Sequence, residues 1–79
     1  MSKDQILTSL PPLERGYVES INGSNASISR MASMGISQGV GIIMIRNHKR
    51  APVIIEVRDT LIALGRLEAA KIFVKRVQV

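Results

Sequence analysis

The stretch Gly39-Val40-Gly41-Ile42-Ile43-Met44-Ile45-Arg46, continued after Asn47-His48-Lys49-Arg50-Ala51 by Pro52-Val53-Ile54-Ile55-Glu56-Val57-Arg58, decides the fold. Two glycines flank the start of the first run, and its β-branched residues fall on both faces. Residues 40–46 are therefore expected to form a strand that is nearly fully buried or has a covered outer face. In the second run Val53, Ile55 and Val57 share one face, and Pro52, which cannot donate to a ladder, suits the first position of a strand over 52–58. A tight turn at Asp59 and Thr60 leads into a third strand, 60–64, which Gly65 ends.

Upstream, Arg15-Gly16-Tyr17-Val18-Glu19-Ser20-Ile21 reads as an earlier strand, followed by a turn over Asn22-Gly23-Ser24-Asn25. Ser24 or Asn25 can cap a short helix over 26–34, in which Ile28 and Met31 share a face and Gly35 takes the C-terminal cap. Downstream, residues 66–71 read as one helical turn and 72–77 as a closing strand. The expected class is mainly β: a small, partly closed five-stranded barrel with one short helix after the first strand and a helical turn before the last.

The 79 residues suffice for one domain, 1–79, with residues 1–5 expected to be loose. A domain this small buries only about 60–65% of the surface its unfolded chain exposes, so its core must be dense. Eleven Ile and seven Val can supply that density. Cysteine is absent, which excludes disulfides and thiolate metal sites and fits a reducing cytosol. No apolar run approaches the roughly 18 residues a membrane-spanning helix needs, so the chain reads as cytosolic without membrane insertion. Its formal charge of +5 is uneven: residues 1–39 hold three cations and three anions, residues 40–79 eight cations and three anions. The basic half is expected to face a partner.

An ordered set of positions adds a likeness. Leu10 and Leu13 precede Gly16; then come Arg30, Met31, Met34, Gly35 and Ile36, Gly39 and Ile42, Pro52, Ile55 and Val57. Ile62, Ala63, Leu64, Gly65, Arg66, Ala69, Ile72 and Val74 complete it. In this order and spacing, over residues 7–74, the chain resembles the FeoA family, ferrous iron transport protein A, whose domain is a small SH3-like barrel. It departs from the family at Ala51, where glycine commonly precedes the proline. The resemblance implies a cytoplasmic accessory of FeoB, the membrane ferrous iron transporter with a cytosolic GTP-hydrolysing domain. That partner would recruit it to the inner face of the membrane.

The residues themselves exclude several chemistries. An Fe(II) site wants converging imidazole and carboxylate ligands, whereas the single histidine, His48, lies in a loop among cations that disfavour another. No cofactor or metal ligand set is expected. Catalysis needs a nucleophile served by a base, or paired carboxylates. The eight serines lie mostly in the N-terminal turn and helix, Glu14, Glu19, Glu56 and Glu68 are far apart, and no phosphate-binding G-x-x-x-x-G-K-S/T pattern occurs. An enzyme is not expected. The alternative reading is a basic nucleic-acid-binding module, since the sequence pI is near 10.5 and cations cluster at Arg46, Lys49 and Arg50. Against it, barrels that hold single strands stack bases on aromatics, and Tyr17 and Phe73 are the two aromatic residues.

Three surfaces are candidates for partner binding. The hairpin tip with Arg46, Lys49 and Arg50 suits an acidic protein surface or anionic headgroups, and equally a solvated turn. The helix offers Arg30, Met31 and Met34, where methionine either adapts to a partner or fills the core. On the last strand, alternation turns Phe73 outward, to pack under the N-terminal segment or to join two copies in a homo-oligomer.

Overall fold

The computed structural model describes residues 4–77. Its strands are β1 (Asp4–Ile6), β2 (Arg15–Ile21), β3 (Gly41–Arg46), β4 (Val53–Val57), β5 (Thr60–Leu64) and β6 (Ile72–Arg76). They form one antiparallel sheet in the order β1-β6-β2-β3-β4-β5. A 3-10 turn, Leu7–Ser9, follows β1; helix α1 (Asn25–Ser33) joins β2 to β3, and the one-turn helix α2 (Arg66–Ala69) joins β5 to β6.

The expectation of five strands is corrected to six. Asp4-Gln5-Ile6 carries no alternation that would mark a strand, and it becomes one by pairing with β6, Ile6 opposite Phe73 and Gln5 opposite Val74. Residues 4 and 5 are thus in the sheet and not loose; the rest of the stretch expected to be loose, 1–3, lies outside the described residues. Elsewhere the ends move by a few residues: α1 begins at Asn25, β3 at Gly41 and β4 at Val53, and α2 ends at Ala69. The β4–β5 turn is made by Arg58 and Asp59, one residue earlier than expected, with φ of +50° and +65°. Two left-handed residues between paired strands make a type I′ turn, whose twist matches the strands it joins.

Alternation explains the core. Gly16 and Val18, Ile42 and Met44, Val53, Ile55 and Val57, and Ile72 and Val74 all face inward and are buried. Gly16 is obligatory there, because a Cβ would sit 2.9 Å from the Lys75 carbonyl oxygen on the neighbouring strand. The 3-10 turn closes the interior with Leu7 and Leu10, each 0% exposed. Ser24 caps α1, its hydroxyl accepting the Ser27 N–H at 3.1 Å. At the other end Ile36 N–H reaches the Met31 carbonyl at 2.9 Å and Gly35 N–H the Ala32 carbonyl at 2.9 Å, with Gly35 at φ +90°. This Schellman arrangement ties buried Met31 to buried Ile36.

Leu13 breaks the local rules. Glu14 N–H bonds back to the Pro11 carbonyl at 3.2 Å, closing a turn whose third residue, Leu13, has φ +69° and a side chain 76% exposed. A left-handed backbone costs a non-glycine residue roughly 1–2 kcal/mol, partly offset by the greater chain entropy of an unfolded glycine. Leu13→Gly is therefore expected to stabilise the domain by about 0.5–1 kcal/mol, read as a higher urea midpoint. A lower midpoint would mean that the leucine side chain packs in solution.

Candidate functional site: the braced basic loop

Between β3 and β4 the chain turns through Asn47 to Pro52. Ala51 N–H bonds to the His48 carbonyl at 3.2 Å and Arg50 has φ +68°, so the left-handed position of this turn falls on Arg50 and not on Ala51. Arg46, His48, Lys49 and Arg50 are all exposed. Asn47 beneath them is half-buried, and its amide nitrogen donates to the Thr8 carbonyl at 2.8 Å and the Leu10 carbonyl at 3.0 Å. Arg66, the first residue of α2, braces the other side: its guanidinium donates to the carbonyls of His48 at 2.8 Å and Ala51 at 3.0 Å, and to Asn47 Oδ1 at 2.9 Å. A fork of fixed N–H donors suits several convergent oxygens, which a lysine could not match. The loop is therefore a built platform, pinned to the 3-10 segment by Asn47 and to α2 by Arg66.

The other candidate residues are distributed differently. Arg30 forms an ion pair with Glu68, linking α1 to α2. Met31 is 1% exposed, so its candidacy as a partner-binding side chain is corrected: it belongs to the core, on the inner face of a helix capped into it. Met34 is half-buried against that core. Phe73 lies on the last strand, β6, on the face opposite buried Ile72 and Val74 as alternation requires; it is half-buried, with Ile6 of β1 and Ser20 of β2 as its neighbours across the sheet. The fold thus connects Arg30, through Glu68 and Arg66 on α2, to the basic loop, and leaves Phe73 on a different part of the sheet. No local signal in the sequence marks Asn47 or Arg66 as a brace, since the carbonyls they hold become neighbours only on folding.

An open cleft of about 290 Å³ lies by the β4–β5 turn, lined by Arg15, Ile43, Glu56, Arg58, Asp59 and Val77 among others. Its lining carries two carboxylates, Glu56 and Asp59, beside the cations Arg15 and Arg58. Among the described residues no group of three or more His, Cys, Asp or Glu converges as a metal site. No helix of the described residues is long and apolar enough to cross a membrane.

The FeoA domain family model matches residues 6–76. The chain belongs to the FeoA family. That family is linked to ferrous iron transport as a non-catalytic accessory, and the small antiparallel architecture fits its SH3-like fold. Among solved structures, an iron uptake regulatory protein (FeoA) superposes with a TM-score of 0.90 at 27% identity, over 95% of this chain and 100% of that one. Zinc-complexed FeoA from Stenotrophomonas maltophilia, described as a prokaryotic SH3 domain protein, gives 0.73 at 25% identity, over 94% of this chain and 88% of that one. A manganese-dependent transcriptional repressor gives 0.87 at 18% identity; 98% of this chain matches 44% of the repressor, a likeness of fold alone. No curated protein sequence matches significantly.

Proposed function

We propose that this protein is a non-catalytic, cytoplasmic accessory of ferrous iron uptake that docks on the cytosolic side of a FeoB-like transporter, with the Arg46–Arg50 loop as its docking surface. The observation that carries the loop assignment is its bracing. Arg46, Lys49 and Arg50 stand exposed on a turn held by six side-chain-independent and side-chain-dependent anchors in all: Asn47 spans to Thr8 and Leu10, and Arg66 spans to His48, Ala51 and Asn47, beside the turn's own Ala51 to His48 bond. A loop backbone already fixed in place loses little freedom when its cations meet an acidic surface, which favours binding. Backbone strain at Arg50 points the same way, because a left-handed arginine at a loop tip is retained at a cost to the fold. Charge of this kind steers association and sets partner choice.

Under this proposal the GTP chemistry belongs to the transporter, and iron passes with no ligand from this chain. The double change Lys49→Glu and Arg50→Glu is expected to weaken binding to the transporter's cytosolic domain at least about tenfold at physiological salt, with the melting temperature nearly unchanged. Unaltered affinity would remove the loop as the docking surface. Binding to RNA or DNA that falls steeply with salt, together with no binding to the transporter, would instead support the nucleic-acid module.

A further inference from the structure

The sheet has an unguarded edge at β5. In the register set by β4, Val57 pairs with Thr60, Ile55 with Ile62 and Val53 with Leu64, around a two-residue turn. Such a turn makes its flanking pair a hydrogen-bonded one, and bonded and non-bonded pairs then alternate. The N–H and C=O groups of Leu61 and Ala63 consequently point away from β4, and the described residues supply them no other backbone partner. Natural edges are blunted by lysine, proline, bulges or inward charge, yet Thr60-Leu61-Ile62-Ala63-Leu64 has none of these. Leu61 is 64% exposed and Ala63 is exposed beside it on the same outer face.

We propose that β5 is a self-association edge, pairing antiparallel with β5 of a second copy about a twofold axis at Ile62. The strand is complementary to itself in this register. With Ile62 opposite its own copy, Leu61 of each chain lies opposite Ala63 of the other, and the four outward N–H groups meet four outward C=O groups. A large side chain faces a small one in both pairs, so each exposed Leu61 gains a surface to cover. Shifting the register by two residues in either direction leaves part of the strand unpaired, whereas this one engages all five residues. An extended peptide from another protein could use the same backbone groups but would lack this symmetry of side chains. Because each copy uses its β5 once, assembly closes at two chains and does not run on as a filament.

Absence of cysteine makes the register testable. Across a non-hydrogen-bonded antiparallel pair the Cα atoms lie about 4.5 Å apart, within the range a disulfide bridges. Ile62→Cys on the twofold axis is expected to cross-link into a covalent dimer under mild oxidation. Thr60→Cys, whose symmetry mate would lie roughly 13 Å away along the strands, should not. Sedimentation equilibrium of the wild-type chain should move toward the mass of two copies as concentration rises to about 1 mM. Ala63→Pro removes an outward N–H while leaving the β4 ladder its donors, so it should weaken association at least about tenfold with the fold retained by circular dichroism. A wild-type chain that stays monomeric throughout overturns the proposal. So does a dimer that survives Ala63→Pro, or cross-linking at residue 60 as fast as at residue 62. These results are read without the transporter and are independent of the docking proposal.

Discussion

Met31→Asp is expected to leave the chain unfolded, or nearly so, at room temperature. The side chain is 1% exposed and shares the core with Leu7, Leu10 and Ile36, while its carbonyl receives the Ile36 N–H that ends α1. A carboxylate placed there loses its hydration without a cationic or hydrogen-bonding partner, and the lost methionine contacts add to the cost. Together these exceed about 4 kcal/mol, against a total stability of roughly 5–15 kcal/mol for natural domains, with small ones at the low end. Far-ultraviolet circular dichroism through a thermal or urea transition reads the result. A folded variant with an unchanged transition would return Met31 to the surface, and the helix to the set of docking candidates. Met34, only half-buried, should tolerate polar substitution with a smaller loss.

Asn47→Ala should produce the next largest change, and the one that bears on the binding surface. Its amide holds the carbonyls of Thr8 and Leu10, 39 and 37 residues away, and its oxygen receives Arg66. Truncation leaves two carbonyls and one guanidinium N–H short of a partner in a half-buried setting, a cost of about 2–3 kcal/mol. For a domain of this size that is a fall in melting temperature of roughly 8–24 °C. Arg66→Ala removes bonds to the same loop, so the double variant should lose less than the sum of the single ones, with a coupling of about 0.5–3 kcal/mol. Hydrogen exchange at His48 to Ala51 should quicken in both. Additive losses, or a melting temperature within about 2 °C of wild type for Asn47→Ala, would mean that the loop is not braced in solution.

How far the chain could be read in advance depended on whether a signal was local. Strand β5 was expected over 60–64 and observed as Thr60–Leu64, because apolar residues run up to a terminating Gly65. Strands β3 and β4 were legible from β-branched runs, and α1 from the Ser24 cap and Gly35, but β3 is buried on one face alone: Ile43 and Ile45 stay partly exposed where near-complete burial or a covered outer face was expected. Strand β1 was not legible: three residues, two of them polar, carry no period, and only the partner strand β6 makes them a strand. The same pairing gives β6 a neighbour on each side, β1 and β2. Turn chemistry misled by one residue at Arg58 and Asp59, since a type I′ turn ordinarily announces itself through Asn-Gly or Asp-Gly.

The basic loop was legible as charge and not as a platform. Arg46, Lys49 and Arg50 stand out in the sequence, but nothing local marks Asn47 as the residue that ties them down, or Arg66 as more than one member of a family pattern. Likewise Leu10 and Leu13 look equivalent in sequence, yet one is 0% and the other 76% exposed. The difference arises from the turn after Pro11 and Pro12, which points the second leucine outward.

The central claim, that this chain acts by binding a ferrous iron transporter, is tested most directly by titrating the purified protein against full-length FeoB-like transporter in detergent at physiological salt. Saturable binding that is lost on reversing the charges of Lys49 and Arg50 is the expected result. No binding to the full-length transporter or to its isolated cytosolic domain, with RNA or DNA still bound at the same salt, would contradict it.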